Sequence, residues 1–115
     1  MDEEYYYRRK DVDLNSEYLE NVPESLQAFE KFDKQVFSDG VLSKKVKELI
    51  AVGCAHITRC PYCIEGHTKR ALADGASRKE IAEAIMVAIA MNAGASFAHG
   101  HFALKPETSK SKKKV

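Results

Sequence analysis

Four residues of this chain have the types and spacing to do chemistry together: Glu48, Cys60, Cys63 and His67. Cys60-Pro61-Tyr62-Cys63 is a Cys-x-x-Cys pair, whose thiols lie close enough to close into a disulfide. The thiolate is the reactive form of cysteine, so a base beside such a pair lowers the barrier to using it. His67 is four residues beyond Cys63, and on a helix that spacing puts both side chains on one face.

Two readings of the pair stay open at this level. Pro61 suits the first turn of a helix, so Cys60 occupies a helix entrance, where free backbone N–H groups and the positive end of the helix dipole favour a thiolate. The imidazole instead favours Cys63. Structural zinc is a rival to redox chemistry, since Cys54, Cys60, Cys63 and His67 together offer three sulfurs and a nitrogen. No second dithiol stands at the usual spacing, however, and Cys54 phases to the margin of an apolar stripe, where a small buried hydrophobe is expected. Neither a metal nor an organic cofactor is expected, and no glycine-rich phosphate loop calls for one.

The elements that position these residues are helical. Sustained two-residue alternation is absent, β-branched residues are sparse, and glycines fall at stops. Asp13 or Asn15 opens a short helical turn over Leu14, Tyr18 and Leu19. A helix over 23–38 follows, with Pro23 in its first turn, an apolar face of Leu26, Phe29, Phe32 and Phe37, and a stop at Asp39-Gly40. Ser43 caps a helix to about Thr58, whose apolar stripe is Val46, Leu49, Ile50, Gly53 and Ile57; Glu48 lines up with Val52, Ala55 and Arg59 on a neighbouring face. By periodicity alone Glu48 is a solvent-facing carboxylate, and only its relation to the cysteines makes it a candidate. The helix over 61–73 stops at Asp74-Gly75, and Ser77 with Glu80 forms a capping box for the last helix. Asn92-Ala93-Gly94 is expected to bend that helix before a further piece that carries His99 and His101.

Composition bounds the rest. At 115 residues, with 44% apolar and 30% charged, the chain reads as one domain over 1–104, loosely ordered at 1–12, with a disordered lysine-rich tail at 105–115. Residues 1–104 hold 13 basic and 16 acidic side chains, which leaves no basic face for nucleic acid. No apolar run reaches bilayer-spanning length, so no membrane partner is expected. The first ten residues lack the pattern of a secretory signal, so cytoplasm is the expected compartment. A last helix apolar nearly all round, in so small a chain, implies burial against another copy.

Glu48, Cys60-x-x-Cys63 and His67, together with the text from Lys47-Glu48-Leu49-Ile50 to Ala98-His99-Gly100, resemble the AhpD-like alkylhydroperoxidases of the carboxymuconolactone decarboxylase superfamily. The resemblance covers about residues 25–104. It implies an all-α helical bundle assembled as a homo-oligomer, commonly a trimer or hexamer, that reduces small peroxides or exchanges disulfides with a dithiol protein reductant. It implies that Glu48 and His67 relay the proton of Cys63 and that Cys60 resolves the oxidised sulfur; a water is expected between Glu48 and His67. Tyr62 departs from the family pattern, which carries a further histidine there. General dithiol–disulfide exchange, and a non-catalytic redox-sensing or zinc-binding module, are the alternatives.

Overall fold

The computed structural model describes residues 15–107, whose regular structure is entirely α-helical: α1 (Asn15–Asn21), α2 (Pro23–Val36), α3 (Lys44–Thr58), α4 (Pro61–Ala73) and α5 (Arg78–Leu104). The start expected to be loosely ordered, the cap candidate Asp13 and most of the lysine-rich tail lie outside the described residues.

Local chemistry accounts for each boundary near the site. The Ser43 hydroxyl accepts the Val46 N–H at 3.2 Å and starts α3. At the other end Arg59 adopts a left-handed backbone, φ 62°, unusual for a residue with a Cβ. The N–H groups of Arg59 and Cys60 both return to the Ala55 carbonyl, at 2.8 and 3.2 Å. Pro61 then begins α4, so the chain reverses within two residues and α3 packs along α4. Helix α4 closes in a Schellman turn: the Gly75 N–H donates to Leu72 O and the Ala76 N–H to Ala71 O, with Gly75 at φ 98°. The expected capping box is present on α5, with Glu80 N–H on Ser77 Oγ at 3.0 Å and Ser77 N–H on Glu80 Oε1 at 2.9 Å.

Val52, Ala71, Ala76 and Ile81, from α3, α4, the following turn and α5, form the core, with Leu49 and Ile85 packed against it. Three expectations are corrected here. The face of α3 that α4 covers is Glu48, Val52 and Ala55, whereas Val46, Ile50 and Ile57 of the apolar stripe stay exposed on this chain. Phe29 and Phe32 of α2 are likewise exposed, at 62% and 64%, and Phe37 leaves the helical face to become the residue that ends α2. Helix α5 runs unbroken through Asn92-Ala93-Gly94, because one glycine among alanines lowers propensity without removing a backbone hydrogen bond. Finally, α5 is 27 residues long with a window of mean hydropathy 1.6, enough by length and composition to cross a membrane although no unbroken apolar run does so.

Helix α3 approaches α5 closely at Gly53, where an added Cβ would stand 3.4 Å from the Ala84 carbonyl oxygen. Gly53→Ala should fit, whereas the branched side chain of Gly53→Val should push the helices apart and cost about 1–3 kcal/mol in urea unfolding.

Candidate active site

The site is built across the α3–α4 contact. Glu48 is 1% exposed, the largest polar side chain in the interior, and its Oε1 accepts a hydrogen bond from His67 Nδ1 at 2.7 Å. The expected intervening water is therefore replaced by a direct bond. Its second oxygen, Oε2, faces Arg70 Nε at 3.4 Å, and Arg70 Nη2 lies 3.3 Å from His67 Nδ1. With Glu48 ionised, Nδ1 carries the hydrogen, and a neutral His67 keeps its lone pair on Nε2.

The other side of the imidazole is held by α2. Phe37 stacks on His67 with centroids 5.0 Å apart and planes 24° from parallel. Lys47, one residue before Glu48, reaches back with Nζ to the carbonyls of Val36 at 2.8 Å and Ser38 at 2.7 Å. Those carbonyls flank Phe37, so the ammonium fixes the aromatic ring where the helix ends and complements the negative pole there.

Cys60 is the N-cap of α4. Its Sγ accepts the Cys63 N–H at 3.2 Å, taking the place a serine oxygen usually fills. The thiol of Cys63, with help from the backbone N–H groups of Cys63 and Tyr62, holds the Cys60 thiol below its ordinary pKa, against a smaller opposing effect of burial. Cys63 goes the other way: burial first, then its hydrogen bond to Cys60 and the charge there, push it up to about 11, with Arg70 pulling it down and Asp33 of α2 pushing it up. The pair is thus polarised, with Cys60 the readier thiolate and Cys63 the held thiol.

Cys63 and His67 open on a cavity of about 550 Å³ whose other walls are largely apolar, among them Val36, Phe37, Leu42, Ile50 and Ala51. Cys54 lines this cavity and is exposed, which corrects the expectation of a buried cysteine: its side of α3 is left open between α4 and α5. His99 and His101 pack on Phe102 and Phe97 of their own helix, and neither is brought to the site. Among the described residues no three His, Cys, Asp or Glu side chains are arranged to hold a metal ion.

Sequence reasoning missed Arg70, Lys47 and Phe37. Arg70 was within reach of it, being three residues beyond His67 and seven beyond Cys63 on one helix face. Phe37 and Lys47 depend on how α2 meets α3, which no single-helix pattern reports.

Comparison with known proteins fits this arrangement. The family model for the carboxymuconolactone decarboxylase family matches residues 23–105. An uncharacterised protein of the cox locus of Paracoccus denitrificans is 54% identical over 77 residues, covering 67% of this chain and 69% of its own. An uncharacterised Cupriavidus necator protein is 39% identical, covering 63% and 64%. Among solved structures, a Methanobacterium thermoautotrophicum protein superposes with a TM-score of 0.71 at 34% identity, over 76% of this chain and 99% of that one. A Legionella pneumophila member of the same family gives 0.66 at 32%, over 71% and 74%. A Thermotoga maritima member, suggested to take part in an antioxidative response, gives 0.61 at 30%, over 69% and 68%. With the matched segment spanning α2 to α5 and the whole site, the chain belongs to the carboxymuconolactone decarboxylase family, as a small AhpD-like member.

Proposed function

We propose that the protein is a thiol-dependent peroxidase in which the Cys60–Cys63 dithiol cycles through a disulfide and Glu48 and His67 relay the proton. The observation that carries this reading is a carboxylate 1% exposed, hydrogen-bonded at 2.7 Å to an imidazole that shares a cavity with Cys63. Such a buried pair is a poor device for stability, because desolvation offsets most of the attraction. Beside a thiol held above its ordinary pKa, a poised base is what the chemistry needs.

His67 takes the Cys63 proton as the sulfur attacks the terminal oxygen of a hydroperoxide. The O–O bond breaks, the alkoxide leaves as an alcohol with the proton from His67, and Cys63 becomes a sulfenic acid. The Cys60 thiolate attacks that sulfur, the S–O bond breaks, and hydroxide leaves as water after taking a proton from solvent. Two electrons have passed from the dithiol to the peroxide. A dithiol protein reductant then restores the pair by thiol–disulfide exchange. The apolar cavity walls suit an alkyl hydroperoxide better than hydrogen peroxide, and no bound metal or organic cofactor takes part.

The same reading includes a homo-oligomer. The Cα radius of gyration is 20.1 Å, against about 13 Å for a compact chain near this length. Phe29, Phe32 and the α5 residues Met86, Val87, Met91 and Phe97 are left uncovered on one chain, and a second copy buries them economically. Light scattering should give a multiple of 12.9 kDa, a trimer or hexamer.

A specific observation favours a second reading, general dithiol–disulfide exchange: the Cys60 sulfur at the helix entrance accepts the Cys63 N–H at 3.2 Å, an arrangement that favours its thiolate. In either case iodoacetamide at about neutral pH should label Cys60 first, since a lowered pKa enlarges its thiolate fraction, with Cys63 following only as pH climbs toward about 11. Alkyl hydroperoxide turnover separates the readings. The peroxidase reading expects Cys63→Ser to be inert and Cys60→Ser to stop after one turnover as a dimedone-reactive sulfenic acid. A Cys60→Ser variant with no first turnover supports the second reading, and continued turnover by both variants refutes both.

A further inference from the structure

Arg70 converges on the same imidazole nitrogen as Glu48, and two hydrogen-bonding groups cannot both be served by one Nδ1. Glu48 Oε1 stands at 2.7 Å from that atom and Arg70 Nη2 at 3.3 Å, while Arg70 Nε reaches Glu48 Oε2 at 3.4 Å. Every nitrogen of a guanidinium is a donor without a usable lone pair, so Arg70 neither accepts the Nδ1 hydrogen nor competes with Glu48 for it. Its charge acts on both partners at once: it attracts the carboxylate and repels a second proton on the ring.

The geometry points to Arg70 as a positioning residue that holds Glu48 ionised and His67 neutral, with the ring hydrogen on Nδ1 and the lone pair on Nε2. A buried carboxylate with an imidazole as its sole partner draws a proton onto that imidazole, and an imidazolium cannot serve as a base. A second cation on the carboxylate shares its charge and leaves the ring free to accept the Cys63 proton. The inference deepens the peroxidase reading and rests on His67 being the base there. The groups facing the ring are Glu48 from α3, Arg70 from its own helix and Phe37 from the end of α2. Those acting on Cys63 are Cys60, Arg70 and Asp33, and Arg70 alone among them favours its thiolate. The Arg70 side chain is 55% exposed, so its removal leaves the core intact.

Nitrogen-15 NMR of the histidine ring tests this directly, without turnover. At neutral pH the unaltered protein should show neutral His67 with its hydrogen on Nδ1. Arg70→Met should convert the signal toward imidazolium, Arg70→Lys should largely restore it, and thermal melts should match. Sulfenic acid formation at Cys63 in a Cys60→Ser background should slow about threefold to tenfold in Arg70→Met, with the acid limb of its pH profile moved to higher pH. An unchanged ring signal in Arg70→Met overturns the inference while leaving the peroxidase reading standing, as does an equal or faster rate at Cys63. A protein whose Cys63 never reacts with hydroperoxide, Arg70 present, overturns both.

Discussion

A carboxylate withdrawn from water between two helices constrains everything around it. Desolvating Glu48 costs on the order of several kcal/mol unless charged or hydrogen-bonding partners are supplied within the fold. Those partners, His67 and Arg70, both come from α4 and stand three residues apart, so satisfying the carboxylate fixes the rotation and register of α4 against α3. The same fixation turns Cys63, in the first turn of α4, toward the cavity beside His67. The left-handed Arg59 and the short reversal at Pro61 make that register reachable, and Val52 and Ala71 pack where the two helices meet.

Around this centre the polar contacts do separate jobs. Cys60 caps α4 through its sulfur, and the Cys63 thiol, with smaller help from the backbone N–H groups there, makes it the more acidic of the two, while burial and that neighbour push Cys63 up. In the peroxidase reading Cys63 is the nucleophile that needs a base, Cys60 is the partner that does not, and the buried pair supplies that base. Lys47 draws the end of α2 onto the site, so an element with little other hold on α3 and α4 contributes the ring that walls His67.

Much of this was legible in the sequence because it depends on local rules. The caps at Ser43 and Ser77, the stop at Asp74-Gly75, Pro61 at the start of α4 and the shared face of Cys63 and His67 follow from spacing within one helix. What the sequence obscured depends on which face a neighbour covers. The apolar stripe of α3 suggested burial of Ile50 and Ile57, yet α4 covers the side with Glu48, because there a charged residue can be matched and small Ala55 admits a close helix. Cys54 is exposed for the same reason. Phe37 was read as one more apolar residue of a helix, but the helix ends there and frees the ring to stack on His67.

The central claim is that this dithiol, served by the buried pair, gives two electrons to a peroxide. The most direct measurement is the mass of the reduced protein after one equivalent of an alkyl hydroperoxide, with the products mapped to peptides. The account predicts a loss of two hydrogens confined to the segment holding Cys60 and Cys63, reversed by a dithiol reductant and accompanied by one equivalent of alcohol. An unchanged mass, or oxygen added at Cys54 with Cys60 and Cys63 left as thiols, would contradict it.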